Sequence, residues 1–196
     1  EDDGHGLGSP RRLRLEEADE APRSRLEGSG NRRGVPFEEE LAALIGPWYE
    51  ECRQLLLPSG ATIDKFIGDA IVARFDSGNQ VLDAQNAVMA AWRMQEKLLQ
   101  FNLDSFEEIQ IRVGVNSGVV ILGNLGSTRH RLEYAMVGDN VNIGQRLESA
   151  APNTKCMISE ATYLLAKDKV LVGEKSEIKV KGKAEPVIAY VIEGLQ

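Results

Sequence analysis

Cysteine is scarce in this 196-residue chain: Cys52 and Cys156 are the only two, they lie far apart, and they match no metal-binding or redox spacing. That excludes a disulfide-built fold and a thiolate metal cluster, and leaves reduced packing thiols in a cytoplasmic compartment. Long apolar runs are missing as well. No stretch approaches the roughly 20 apolar residues of a membrane-spanning helix, and the N-terminus lacks the short apolar core of a signal peptide. Direct membrane insertion is therefore not expected, although the chain could be the cytosolic domain of a larger protein. Positive charge is also in deficit, with 23 Lys and Arg against 30 Asp and Glu and a net charge of -7. An acidic chain is a poor general polyanion binder, which argues against nucleic acid as a partner. A small phosphate ligand held by a few local cations stays open. What is present, 42% apolar and 27% charged residues, is the composition of a globular protein long enough for one domain plus a tail.

The tail is residues 1–36, rich in Gly, Ser, Arg and Glu, with leucines that keep no helical or strand period. From Phe37 the pattern changes, and residues 37–196 read as one domain. Leu41, Leu44, Ile45, Trp48, Tyr49, Cys52, Leu55 and Leu56 recur at three- and four-residue steps, which predicts an amphipathic helix ended by Pro58 and Gly60, with a kink or break allowed at Gly46-Pro47. Two β-rich runs, Ala61 to Ile67 and Ala70 to Phe75, flank Gly68-Asp69, a tight hairpin signal. Gln80 to Phe101 predicts a long helix. Strands are expected at Ile109 to Val115 and Val119 to Leu122, then a polar loop or hairpin from Gly123 to Glu133, and a short strand from Tyr134 to Val137. Helices are expected over Asn140 to Ala150 and Ser159 to Ala166, and further strands near Lys155 to Ile158, Val170, Ile178 to Val180 and Val187 to Ile192. Helices mixed with hairpins predict an α+β fold, a sheet with helices packed on it.

Three small constellations could carry chemistry. Asp69, at a glycine-opened hairpin tip, could offer a carboxylate to Mg²⁺, which takes one or two hard oxygen ligands plus phosphate and water. A Gly-Asp turn suits any hairpin too, and Lys65 alone reads equally as a solvated strand cation. Asn142 and Arg146, four apart, share a helix face, where an amide beside a guanidinium suits charge developing on a phosphate. The pair also fits a plain solvated face. Lys179, Lys181 and Lys183 alternate along one side of a strand; they could reach a polyphosphate or simply protect an edge.

In combination these segments are distinctive. Thr62-Ile-Asp-Lys-Phe-Ile-Gly-Asp69, Arg112-Val-Gly-Val-Asn-Ser-Gly118, Glu133-Tyr-Ala-Met-Val-Gly-Asp-Asn-Val-Asn142 with Arg146-Leu-Glu148, and Val180-Lys-Gly-Lys183 follow one another at a spacing that resembles the class III adenylyl and guanylyl cyclase catalytic domain. The resemblance runs from about Phe37 to Gly194. It implies a ferredoxin-like α+β nucleotidyl cyclase fold with a mixed or antiparallel sheet, acting as a homodimer with sites shared between subunits. It implies two Mg²⁺ or Mn²⁺ ions per site, Asp69 as a metal ligand, and Lys65 as the residue that meets adenine. It also implies that Asn142 orients the ribose, Arg146 stabilises the pentavalent phosphate and Lys181 contacts the terminal phosphates. ATP, converted to cyclic AMP and pyrophosphate, is the expected substrate, since guanylyl cyclases usually carry glutamate where Lys65 stands.

Two departures qualify the expectation. The family's Phe-x-Asp-Ile-x-Gly-Phe block, with the first metal carboxylate, is not found before Phe37, where Arg23 to Asn31 stand instead. Ala135 occupies the position of the Asp or Thr that completes base reading beside the lysine, so the base-facing position there carries no hydrogen-bonding group. A catalytically silent domain that binds nucleotide or pairs as a regulatory partner is the alternative reading.

Overall fold

The computed structural model describes residues 37–127, 131–179 and 185–196. It divides into two units, Glu1–Ala43 and Leu44–Gln196. Of the first, only the opening turns of a helix are described; the second holds the elements that follow.

The helix α1, Phe37–Leu56, continues through Pro47 without a break. Leu44, Trp48, Cys52 and Leu56 recur every four residues and are all buried, so the apolar stripe read from the sequence is the packed one. After it, β1 (Thr62–Ile67) and β2 (Ala70–Arg74) pair antiparallel as a sheet of their own. Helix α2 (Gln80–Asp104) is capped by Asn79, whose side chain accepts from the Leu82 amide at 3.2 Å. It backs two separate apolar clusters. Ala84, Val88 and Ala91 pack with the four-stranded sheet, while Ala90, Leu98 and Met94 pack with α1 and with Ile63, Ile71 and Ala73 of the β1–β2 hairpin.

The four-stranded sheet has the order β3-β6-β8-β7, from β3 (Val113–Val115), β6 (Cys156–Ser159), β8 (Val187–Leu195) and β7 (Val170–Ile178). The β3–β6 pair is parallel, and β8 runs antiparallel to both β6 and β7. Strand alternation splits the sheet's two faces. Cys156, Ile158 and Ile192 face α2 and the short helix α4 (Glu160–Ala166), while Met157, Ala189 and Val191 face α3 (Asp139–Ala150). Ile143 and Leu147 are the buried residues of α3, each contributing about 1.5–3 kcal/mol by leaving water. A third sheet is the hairpin of β4 (Ile121–Ser127) and β5 (Arg131–Val137).

Most predicted elements recur, with two differences. Ile109 and Ile111 precede β3 instead of belonging to it, because the Asn102 side chain takes both backbone groups of Ile109, at 2.9 and 3.0 Å, where a neighbouring strand would have. Their side chains still join the α1–hairpin cluster. The polar stretch after Leu122, expected as a loop or hairpin, is a hairpin with strand on both sides, since backbone pairing does not require apolar side chains. The two short strands expected near Val170 and Ile178 are one strand, β7, bent by register shifts between Leu171 and Lys175. Both cysteines are free and fully buried, and burial pushes the Cys52 thiol up to about 12 and Cys156 still higher. They are packing residues with no accessible thiolate.

One contact sets how α3 lies on the sheet. A Cβ at Gly114 of β3 would collide with the Gly144 carbonyl and the Glu148 amide, so strand and helix meet backbone to backbone there. Gly114→Ala should therefore force α3 outward, costing about 1–3 kcal/mol and lowering Tm by about 3–10 °C. A thermal melt unchanged from wild type would show that the helix can shift without cost.

Candidate active site

The residues singled out by chemistry fall on two platforms. On the first, Gly68 takes φ +61° at the first position of the two-residue β1–β2 loop, a conformation glycine adopts freely, and Asp69 follows it at the exposed tip. The tip is tied down from α1: the Tyr49 hydroxyl donates to the Gly68 carbonyl at 2.7 Å, and the Tyr49 ring lies 4.9 Å from that of Phe66. Partial burial, then the nearby Asp69 carboxylate, raise the Tyr49 hydroxyl above its ordinary pKa. It stays a donor beyond the pH at which a free tyrosine ionises. Lys65, half-buried on β1, has its ammonium 3.7 Å from Asp64 Oδ2.

On the second platform, Asn142 and Arg146 share the exposed side of α3, about 100° around the helix axis from buried Ile143 and Leu147. Among the described residues, the side chains of Asp69, Asn142 and Arg146 make no hydrogen bond or ion pair. Ala135 is buried in β5, paired with Gly123 of β4, and offers only a methyl group. Lys181 lies outside the described residues, as does Lys183; Lys179 is exposed at the end of β7.

The second sequence block, Arg112 to Gly118, holds α3 in place. At the helix's start, Asn116 Nδ2 donates to the Asn140 carbonyl and side-chain oxygen at 3.0 and 3.2 Å, and Asn140 Nδ2 donates to the Val119 carbonyl at 2.8 Å. Gly118 leaves the room that the Asn140 amide fills. At the helix's end, Arg112 pairs with Glu148 at 3.3 Å and reaches the Ser149 carbonyl at 3.4 Å. With Gly114 between them, the block grips both ends and the middle of the helix that presents Asn142 and Arg146.

A metal is fitted only in part. Among the described residues no group of three His, Cys, Asp or Glu side chains comes together. Asp69 alone suits one corner of a Mg²⁺ whose other ligands are phosphate oxygens and water. The family's first metal carboxylate is expected ahead of Phe37, and residues 1–36 lie outside the described residues.

The residues 38–194 match the family model for the adenylate and guanylate cyclase catalytic domain. The chain belongs to this family. The cyclase domain is 36% identical over 144 residues to an adenylate cyclase, terminal-differentiation specific, of Dictyostelium discoideum, covering 69% of this chain and 7% of that protein. It is 33% identical over 157 residues to an adenylate cyclase of Anabaena cylindrica, covering 69% of this chain and 28% of the relative. A guanylate cyclase of Drosophila melanogaster, 32E, matches at 29% over 160 residues, covering 77% of this chain and 13% of its own length. The chain thus spans less than a third of these curated relatives. Among solved structures, the guanylyl cyclase Cya2 superposes with a TM-score of 0.74 at 30% identity, covering 81% of this chain and 83% of that one. The adenylyl cyclase CyaB from P. aeruginosa superposes with a TM-score of 0.71 at 33% identity, covering 79% and 82%. The α+β cyclase fold is therefore established, and relatives of both nucleotide preferences surround it. No helix among the described residues is long and apolar enough to cross a membrane.

Sequence reasoning missed Tyr49 and Asn140, because each acts on residues distant in the chain. Tyr49 sat in a helical apolar pattern that explained it as packing. Tyr49→Phe should remove about 1 kcal/mol of stability. Backbone hydrogen exchange is expected to rise at Gly68 and Asp69 while α2 stays protected; equal protection in both proteins would deny the tyrosine a role at the tip.

Proposed function

We propose that this domain is an adenylyl cyclase converting ATP to 3′,5′-cyclic AMP and pyrophosphate at an interface between two copies of the chain. The observation that carries it is the placement of Asn142 and Arg146. Both project from a helix clamped at each end, and neither side chain makes a hydrogen bond or ion pair among the described residues. A guanidinium with no partner among the described residues can spread its donors over a phosphate without breaking an ion pair to any of them.

In the reaction the ribose 3′-oxygen bonds to the α-phosphorus, the bond from that phosphorus to the bridging oxygen breaks, and pyrophosphate leaves while the hydroxyl proton passes to solvent. Asn142 would hold the ribose so that the hydroxyl is aligned, and Arg146 would neutralise charge gathering on the α-phosphate oxygens. Lys181 is assigned to the terminal phosphates by the family resemblance. Asp69 would hold a Mg²⁺ or Mn²⁺ ion, which when bound supplies positive charge beside the α-phosphate. Lys65 favours ATP, because an ammonium can donate to adenine N1 whereas guanine presents a donor at the same place. Ala135 adds no polar contact, so selectivity depends on the lysine.

Exposed apolar side chains support a second copy. Val119 and Ile121, at and beside the β4–β5 hairpin, are 83% and 68% exposed, apolar surface of the kind a partner covers. A guanylyl cyclase domain from Blastocladiella emersonii, TM-score 0.69 and 26% identical, is described as a non-canonical dimer, and a double mutant of the same domain as monomeric. A catalytically silent regulatory partner is the second reading, favoured by the absence of any group of three potential metal ligands among the described residues.

Incubation with ATP and Mn²⁺ should yield cyclic AMP and pyrophosphate, and Arg146→Ala should lower the rate about 10²–10³-fold. Product no greater than the Arg146→Ala background, at high protein concentration, would leave the silent partner as the reading. If turnover is present, Asp69→Ala mixed equally with Arg146→Ala should recover about a quarter of wild-type activity. Half the dimers are then mixed, each with one intact site of two. Activity no higher than that of the separate mutants would rule out sites shared between subunits.

A further inference from the structure

Asp64, a buried acid next to Lys65, has no part in the reaction as described above. Its side chain is only 3% exposed, although it lies on a strand whose neighbours are half-open. The β1–β2 register skips it: Ile63 pairs with Ala73 and Lys65 with Val72, so Asp64 is the extra residue of a bulge. In a regular strand, consecutive side chains point to opposite faces. A bulge breaks that alternation and re-aims a side chain, which is how Asp64 and Lys65 come to lie within 3.7 Å of each other.

The two carboxylate oxygens are divided between two cations. Oδ1 takes Arg74 Nη1 from β2 at 3.4 Å, and Oδ2 faces Lys65 Nζ at 3.7 Å. Arg74 is in turn oriented by Asp76, whose Oδ2 accepts from its Nε at 3.0 Å. A buried carboxylate needs a counter-ion, and Arg74, itself 18% exposed, serves that need from the neighbouring strand. Lys65 is then drawn to the other oxygen by attraction at low solvent exposure.

We propose that Asp64 is a positioning residue for nucleobase selection: it holds the Lys65 ammonium at one place on the hairpin face. The inference rests on the reading of Lys65 as the residue that meets the base. A lysine has four side-chain rotors, and an unrestrained ammonium can swing from adenine N1 toward the carbonyl oxygen of guanine with little penalty. A tethered one cannot follow the acceptor, so guanine's N–H meets a fixed donor. Because Ala135 contributes no second polar contact, the tether is what keeps one hydrogen bond discriminating.

The test reads binding, so it does not depend on turnover. Titration calorimetry with 3′-deoxy-ATP and 3′-deoxy-GTP, each with Mn²⁺, gives the ratio of Kd values without cyclisation. Asp64→Asn should reduce the preference for the adenine nucleotide about tenfold, with Asp64→Glu recovering part of it and nearly all of the change arising from the two bases rather than from both affinities falling together. Lys65→Ala is the control for the underlying reading. If it leaves the ratio unchanged, Lys65 does not meet the base and both ideas fail. If it shifts the ratio while Asp64→Asn does not, only the role of Asp64 is overturned. Should Asp64→Asn fail to fold, Asp64→Asn with Arg74→Met removes both buried charges together, and the same loss of preference is expected; an unchanged ratio in that protein overturns the proposal.

Discussion

The approach of β3 to α3 at Gly114 is the constraint on which the rest of the site depends. With no side chain between them, strand and helix come close enough for Arg112 to reach Glu148 and for Asn116 to reach Asn140. Each of those contacts fixes one end of α3. The ion pair between Arg112 and Glu148 is only partly shielded, worth about 1 kcal/mol or less, so it orients the helix more than it stabilises it. The burial of Ile143 and Leu147 supplies the larger energy and also rotates the helix, sending Asn142 and Arg146 outward. Packing and polar contacts therefore divide the work: apolar area decides that the helix docks, and the glycine and two clamps decide where.

That division explains what could be read in the sequence. The β1–β2 hairpin was legible because its signal is local: β-branched runs on both sides of a Gly-Asp pair, with positive φ at Gly68. Helices α1 and α2 were legible because their stripes repeat over many turns. Strand β4 was legible at its start, Ile121 and Leu122, and beyond it only as one of two options, since Gly123 and Asn124 pair through their backbones and carry no apolar alternation. Ile109 and Ile111 misled in the other direction. Their β-branched side chains pack, but an asparagine seven residues back along the chain occupies the backbone of Ile109.

For the site, residue types were legible and supports were not. Asp69, Asn142 and Arg146 could be picked out by position in blocks that carry a family resemblance. The work of Arg112 and Asn116 is done on partners 37 and 24 residues away, a relation that no spacing within the block encodes. Tyr49 and Asp64 share this property. The tyrosine looks like one more apolar position of a helix, and the aspartate like a solvated strand residue until the bulge turns it inward.

A pattern joins the two platforms. Around each chemically suited side chain stands a neighbour whose polar groups are fully committed: Tyr49 behind Asp69, Asp64 beside Lys65, Asn140 two residues before Asn142. The presented residues Asp69, Asn142 and Arg146 are themselves exposed. Side chains that bond to none of the described residues add nothing to that part of the fold by being where they are, and a solvated arginine or aspartate is desolvated only when a ligand arrives. Fixing the supports during folding, and leaving the reacting groups open, places the ordering cost before binding and keeps the electrostatic gain for the bound state. The same logic accounts for why the single described carboxylate at the hairpin tip is held by a hydrogen bond to the backbone of its turn and not to its own oxygens: the turn is fixed, and both oxygens remain available.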